Sequence, residues 1–223
     1  MAETTPAGLC FALEAAYVES CRKPTESNLG PVKRRAYVWA SEISPCSRQM
    51  ALNLTHPENR QEPDDEGACR MARGVDLEDA ILARLKRIGP KYSIPFRVIG
   101  EQVRFEIKDR DGVLLGSGKI DCRIEIAGQT PVAEVKSGRS VEHLHTADDF
   151  FRSSVWSRKY LDQLLNYLLA ANEPWGCFII ARPGTPKIVP VVLEEWLERA
   201  ERNLSGMRQA VDHALGKGPI PDF

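Results

Sequence analysis

Asp121, Glu134 and Lys136 are the residues whose types and spacing point most directly to chemistry. They lie within residues 118–138, where two short runs alternate apolar and polar side chains with the two-residue period of a half-buried strand. Ile120, Cys122, Ile124 and Ile126 point one way in the first run, and Asp121, Arg123 and Glu125 the other. In the second run Glu134 and Lys136 share a face opposite Ala133 and Val135. Residues 127–130 between them read as a tight hairpin, with Gly128 supplying the positive φ of a type II′ turn. With Gly128 and Gln129 as the loop residues, Asp121 lies opposite Lys136 and Glu134 is its diagonal neighbour on the same face. Two carboxylates and one ammonium then converge. Adjacent carboxylates repel unless a proton or a cation lies between them, and a hard oxygen site suits Mg²⁺ or Mn²⁺. A lysine beside such an ion can hold or help deprotonate an attacking water. The competing reading of the same triplet is a solvated sheet face with an incidental salt bridge.

The surrounding elements bear on that choice. Residues 69–88 read as a helix with an apolar stripe through Ile81, Leu82, Leu85 and Ile88. Stepping N-terminally by three and four residues lands on Glu78, with Gly74 one turn further. A carboxylate in a core-facing stripe costs several kcal/mol unless it is paired or bound to metal, so Glu78 either reaches solvent or an arginine, or aims a third acid at the sheet. Residues 156–171 form a helix with a core stripe at Leu161, Leu164, Leu165 and Leu168. Its second line, Trp156, Tyr160, Gln163 and Tyr167, suits either amphipathic packing or contact with bases and sugar–phosphate.

Residues 1–20 read as a short helix, and 21–35 as a basic loop whose Lys33, Arg34 and Arg35 are candidate phosphate contacts. Ser44 and Pro45 signal a helix start with Cys46 and Arg48 in its first turns, where an arginine can fork onto phosphate. Residues 56–67 are loop, and 96–107 a strand that turns through Arg110-Asp111-Gly112. Residues 139–154, with His143 and His145, read as a loop flanking the site, its histidines at the surface. Residues 175–181 and 187–192 are strands, and 193–215 a covering helix with its stripe at Leu197, Ala200, Leu204, Met207 and Val211.

With 223 residues, 43% apolar and 27% charged, the chain is expected to bury a sizeable core. A net charge of −1 supplies no global field toward nucleic acid, so such binding needs a local basic patch. No apolar run approaches a membrane span, and no signal peptide is evident. The scattered cysteines 10, 21, 46, 69, 122 and 177 lack any CxxC, which points to reduced thiols and a cytoplasmic protein.

Asp121 followed by Glu134-Val135-Lys136 resembles the core motif of the PD-(D/E)XK nuclease superfamily. Gly74 followed four residues later by Glu78 looks like the helical motif of its RecB-like, lambda-exonuclease-like branch, and Gln163 to Tyr167 matches that branch's QxxxY motif. Ser44-Pro45-Cys46-Ser47-Arg48 is similar to the helix that opens the CRISPR-adaptation exonucleases and related phage enzymes. These elements occur in the family's order over residues 41–181. Ile120 stands where many members have proline, and Glu78 where many have histidine. The late cysteines of the iron–sulfur members are absent beyond Cys177, so no such cluster is expected.

The resemblance implies an α/β, restriction-endonuclease-like fold, a mixed central sheet flanked by helices. It implies a single nuclease domain over 1–223, with 1–68 a mostly helical extension packed on the core. Glu78, Asp121, Glu134 and the Val135 carbonyl would hold one or two Mg²⁺ or Mn²⁺ ions that polarise phosphate and acidify water. Lys136 would orient that water for in-line attack, leaving a 5′-phosphate and a 3′-hydroxyl, while Gln163 and Tyr167 brace the site. Arg48, Lys33, Arg34, Arg35, Ser137, Trp156 and Tyr160 would contact DNA, either single-stranded or a duplex end. The implied activity is a metal-dependent DNA exonuclease of recombination or repair, acting as a homo-oligomer or with a recombination partner protein. A structure-specific endonuclease and a nuclease-like DNA-binding or assembly subunit with little turnover are the alternatives. The intact set of Glu78, Asp121, Glu134 and Lys136 favours turnover over the latter.

Overall fold

Strand-forming runs rich in Val, Ile and Phe build one sheet, and the helices bury their apolar stripes on its two faces. The computed structural model describes residues 18–21, 35–44, 46–59, 63–92, 96–126, 128–182 and 186–222. The strands are β1 (Val38–Trp39), β2 (Phe96–Lys108), β3 (Leu114–Ile126), β4 (Val132–Lys136), β5 (Trp175–Ile180) and β6 (Lys187–Val192). The helices are α1 (Ser47–Thr55), α2 (Asp65–Tyr92), α3 (Ala147–Ser153), α4 (Val155–Ala171) and α5 (Leu197–Ala214). Apart from a helical turn at 18–21, the expected first helix lies outside the described residues, as do Lys33, Arg34 and Pro45.

The sheet is mixed. Its path runs β1-β3-β4-β5-β6, with β2 also paired to β3. β1 and β5 run parallel to β3 and β4 respectively, and the other pairings are antiparallel. β2 takes one edge of β3 along almost its whole length, so β1 and β4 share the other edge. β1 pairs there at Gly116 and Ser117, β4 at Cys122 and Arg123. The edge between them, around Lys119, is left for side chains to fill.

Two apolar clusters sandwich the sheet. On one face Cys122, Ile124, Ala133, Val135, Cys177 and Ile179 pack against Leu82 of α2, with Ile81 and Leu85 at the margin. On the other, Val132, Phe178 and Ile180 meet Leu161, Leu164, Leu165 and Leu168 of α4, backed by α1 and α5. The alternation Cys177, Phe178, Ile179, Ile180 thus feeds both faces, as expected of a strand buried on both sides. Burial pushes the Cys177 thiol up to about 12, which suits an inert packing residue.

Several expected boundaries move. α1 begins at Ser47 with Cys46 as its N-cap residue; the Ser44 hydroxyl instead accepts from the Cys46 N–H at 3.2 Å, so Cys46 precedes the helix rather than entering it. α2 starts at Asp65, earlier than expected, with acidic residues favourable at a helix N-terminus. Residues 139–154 are not simply a loop. Thr146 and Asp149 form a capping box that starts α3, and its Phe150 stacks on Phe178 with ring centroids 4.1 Å apart. α5 begins at Leu197 after a 3₁₀ turn, and Leu197 itself is exposed. The rest of the expected stripe faces inward: Ala200, Met207 and Val211 are buried and Leu204 packs on the same cluster, with Asn203 and Ala210 beside them.

Candidate active site

Asp121 sits where the ladder between β3 and β4 ends. The register Cys122↔Ala133 and Arg123↔Val132 places Asp121 opposite Glu134, with Lys136 its diagonal neighbour. This corrects the expected register by two residues. The close pair across the turn is Ile126 and Gln129, and Gly128, at φ 79°, is the second loop residue rather than the first. A shift of two leaves every side chain on its face, so the three groups still converge. One Asp121 carboxylate oxygen accepts the Val135 N–H at 2.7 Å, replacing the ladder bond lost there.

The electrostatics of the cluster are unbalanced. Glu134 is fully buried, and one of its oxygens accepts from the Lys136 ammonium at 2.7 Å. The same ammonium lies 3.8 Å from Asp121 and 5.3 Å from the centre of the Tyr160 ring. The other oxygen, Glu134 Oε1, is buried with no hydrogen-bond partner. Burial raises the Glu134 carboxyl above its usual range, Lys136 pulls it down, and Asp121 pushes it up again. Burial opposes charge on Lys136, yet Glu134 and Asp121 hold its ammonium above the ordinary lysine range.

Glu78 joins from α2, whose stripe does turn it toward the sheet. Its carboxyl is pushed up to about 7, first by burial and then by the neighbouring Asp121. Gln102 donates to Glu78 Oε1 at 2.8 Å. Gln102 lies in β2 between the pairs Glu101↔Cys122 and Val103↔Ile120, hence across from Asp121, and has a left-handed φ of 47°. The β2–β3 ribbon changes partners at that point: Val103, Phe105 and Ile120 belong to the cluster under α4, while Phe96, Val98, Cys122 and Ile124 belong to that under α2. The sequence contains no signal for Gln102, since a non-glycine residue at positive φ leaves no compositional trace.

Tyr167 and Gln163 close the gap in the β3 edge. The Tyr167 hydroxyl donates to the Lys119 carbonyl at 2.8 Å and receives the Gln163 amide at 3.2 Å. Tyr167 is only 1% exposed, and burial pushes its phenol up, so it remains a neutral donor. Its fit depends on Gly118, where a Cβ would lie 2.5 Å from both the hydroxyl and the Ala40 Cβ. Gly74 differs: the nearest atom to a Cβ there is Ser137 Oγ at 3.8 Å, an ordinary contact, so no close approach within the chain requires glycine.

The remaining expected contacts are spread out. Ser137 follows Lys136 directly, beside α2. Trp156 stands 64% exposed at the start of α4, one turn before Tyr160. Arg48 is partly buried in α1, which packs chiefly on α5. Arg35 donates to both Glu42 oxygens at 3.1 Å and lies over the Trp39 ring, so its charge is already engaged. His143 bridges the Arg139 carbonyl and the Ser153 hydroxyl.

Among the described residues no three His, Cys, Asp or Glu side chains are drawn in tightly enough to hold a metal ion as they stand. The Lys136 ammonium lies between Asp121 and Glu134, where a cation would be needed. The donor set nonetheless fits a hard divalent ion: three carboxylates, two of them raised by burial and by Asp121, and one buried oxygen with no partner. Among the described residues, no helix is long and apolar enough to cross a membrane.

No protein-family model matches the sequence, and no curated protein is similar to it. Solved structures are. The alkaline exonuclease LHK-Exo of Laribacter hongkongensis aligns with a TM-score of 0.54 at 14% identity, over 82% of this chain and 91% of that one. LHK-Exo in complex with dAMP aligns with the same score and coverage at 17% identity. The protein SSO0001 aligns with a TM-score of 0.52 at 15% identity, over 96% of this chain and 89% of that one. The chain therefore has the fold of the LHK-Exo exonuclease, a mixed sheet with helices on both faces.

Proposed function

We propose that this chain is a divalent-metal-dependent deoxyribonuclease that hydrolyses phosphodiester bonds at DNA ends, an exonuclease serving recombination or repair. The observation that carries the reading is the unpartnered, buried Oε1 of Glu134 in a group of three acids, two of which share one ammonium. A buried carboxylate oxygen left without a donor beside a second acid is one that an incoming cation would satisfy. Glu78, Asp121, Glu134 and the Val135 carbonyl would hold Mg²⁺ or Mn²⁺, which when bound polarises a phosphoryl oxygen and acidifies water.

The chain's own residues supply the rest. Lys136, kept beside Asp121 and Glu134 and faced by Tyr160, directs ammonium donors to the place where phosphate oxygens and the attacking water meet. Gln102 orients Glu78. Tyr167 and Gln163 fix the β3 edge at Lys119, and with it the position of Asp121 two residues on. Such positioning matters because displacing a catalytic group by about 1 Å costs on the order of a hundred-fold in rate. Ser137 and Arg48 would contact the backbone phosphates. LHK-Exo, which shares the fold, was crystallised with dAMP, and a nucleoside monophosphate is the class of product an exonuclease releases.

The test is cleavage of end-labelled single- and double-stranded DNA in Mn²⁺, Mg²⁺ or EDTA. Wild type is expected to release mononucleotides with metal and nothing in EDTA. Asp121→Ala, Glu134→Gln and Lys136→Ala are expected to fold and to lose at least about a hundred-fold in rate. Cleavage in EDTA, or by a folded Asp121→Ala protein, would overturn the proposal.

A further inference from the structure

Trp156 is a large aromatic side chain left 64% exposed, and it lies on the helix face that carries the site. At about 100° per residue, Trp156, Tyr160, Gln163 and Tyr167 fall within about 60° of one another around α4. Along this stripe the contacts change in order: Tyr167 is sealed against β3, Gln163 holds its hydroxyl, Tyr160 faces the Lys136 ammonium, and Trp156 reaches solvent. Trp156 is therefore one helical turn, about 6 Å, beyond the ring that touches the catalytic ammonium.

The surroundings of Trp156 are those of an anion-attracting platform. Lys159 Nζ lies 5.0 Å from the centre of the indole and, among the described residues, has no acidic partner. The first turn of α4 contains no acid, and its N-terminus is capped by Ser154, whose hydroxyl accepts the Ser157 N–H at 3.0 Å. An exposed indole beside an uncompensated cation offers a π face for a base and a charge for its phosphate.

We infer that Trp156 and Lys159 form a stacking subsite for an unpaired nucleotide adjacent to the one being cleaved. The substrate at this site is thus a single-stranded end, because a base next to the one being cleaved would, inside a duplex, already be stacked on both faces and have none free for the indole. This rests on the nuclease reading above and deepens it by naming the form of the substrate.

The experiment measures fluorescence anisotropy of the full chain with labelled dT12, with a twelve-residue abasic strand and with a twelve-base-pair blunt duplex, in EDTA to prevent turnover. Metal-dependent cleavage of dT12 is scored in parallel. Trp156→Ala is expected to weaken dT12 binding by about ten-fold, to leave binding of the abasic strand unchanged, and to be largely restored by Trp156→Phe. Lys159→Ala is expected to weaken both single strands and to flatten the salt dependence. Unchanged dT12 affinity in Trp156→Ala, or an equal loss toward the abasic strand, overturns the subsite. Absence of cleavage by wild type, with the Trp156 effect on dT12 intact, overturns only the nuclease reading.

Discussion

Asp162 and Gln163 are neighbours in α4, yet they serve two opposite kinds of buried charge. On the side of α5, Asp162 is completely buried and completely answered. Arg199 donates to both of its oxygens at 2.6 and 2.7 Å, and Asn203 adds a third bond at 2.9 Å. On the side of β3, Gln163 and Tyr167 border three acids, of which Asp121 and Glu134 share the Lys136 ammonium, with one buried oxygen left over. Both regions carry the desolvation cost of charge in an interior. The first is closed and joins two helices. The second is held open against its own repulsion, the condition under which a site gains most from an incoming cation.

The largest effect that would test this contrast is on stability. Arg199→Met strands a buried carboxylate and is expected to cost about 3–5 kcal/mol in urea unfolding, most of it recovered by adding Asp162→Leu. Glu134→Gln removes one of three mutually repelling acids while Lys136 keeps Asp121 as its partner, and is expected to cost clearly less than Arg199→Met. Equal losses in the two variants would erase the distinction.

A pH titration sharpens it. Glu78 has a folded-state value of about 7 against an ordinary 4.5, so the folded protein binds the proton more tightly than the unfolded chain does. Its contribution is present below about pH 4.5 and is lost as pH rises through about 7, with Glu134 displaced in the same direction. The melting temperature of metal-free protein is therefore expected to carry a component that falls across this window. Glu134→Gln flattens that component, and Mn²⁺ raises the melting temperature more at pH 8 than at pH 5. The smallest effect concerns Gly74, which lies in the helical interior with room for a methyl group. Gly74→Ala is expected to stabilise by about 0.5–1 kcal/mol; a loss of rate in that stabler protein would mean that substrate, not the chain, needs the space.

The sequence made the site legible because the period of a strand survives an error of two. Moving Gly128 from the first to the second place in the turn shifts every partner by two but no side chain to the other face. Glu78 was legible from its helical stripe for the same kind of reason. What escaped has no period. β1 is two residues long and shows no alternation. Gln102 acts through one backbone torsion, and Asp162 with Arg199 is a contact across 37 positions that no spacing announces. α3 does carry a local signal, the capping-box pair Thr146 and Asp149, which stands beside the histidines of that segment.

The most direct measurement is an anomalous-scattering map from crystals of the wild-type chain soaked in Mn²⁺ near pH 8. A manganese peak is predicted at the Glu78, Asp121 and Glu134 cluster, with Glu134 Oε1 among the ligands. A peak in the Glu134→Gln protein equal to that in wild type, or none in wild-type crystals whose dissolved protein cleaves DNA with Mn²⁺, would contradict the account.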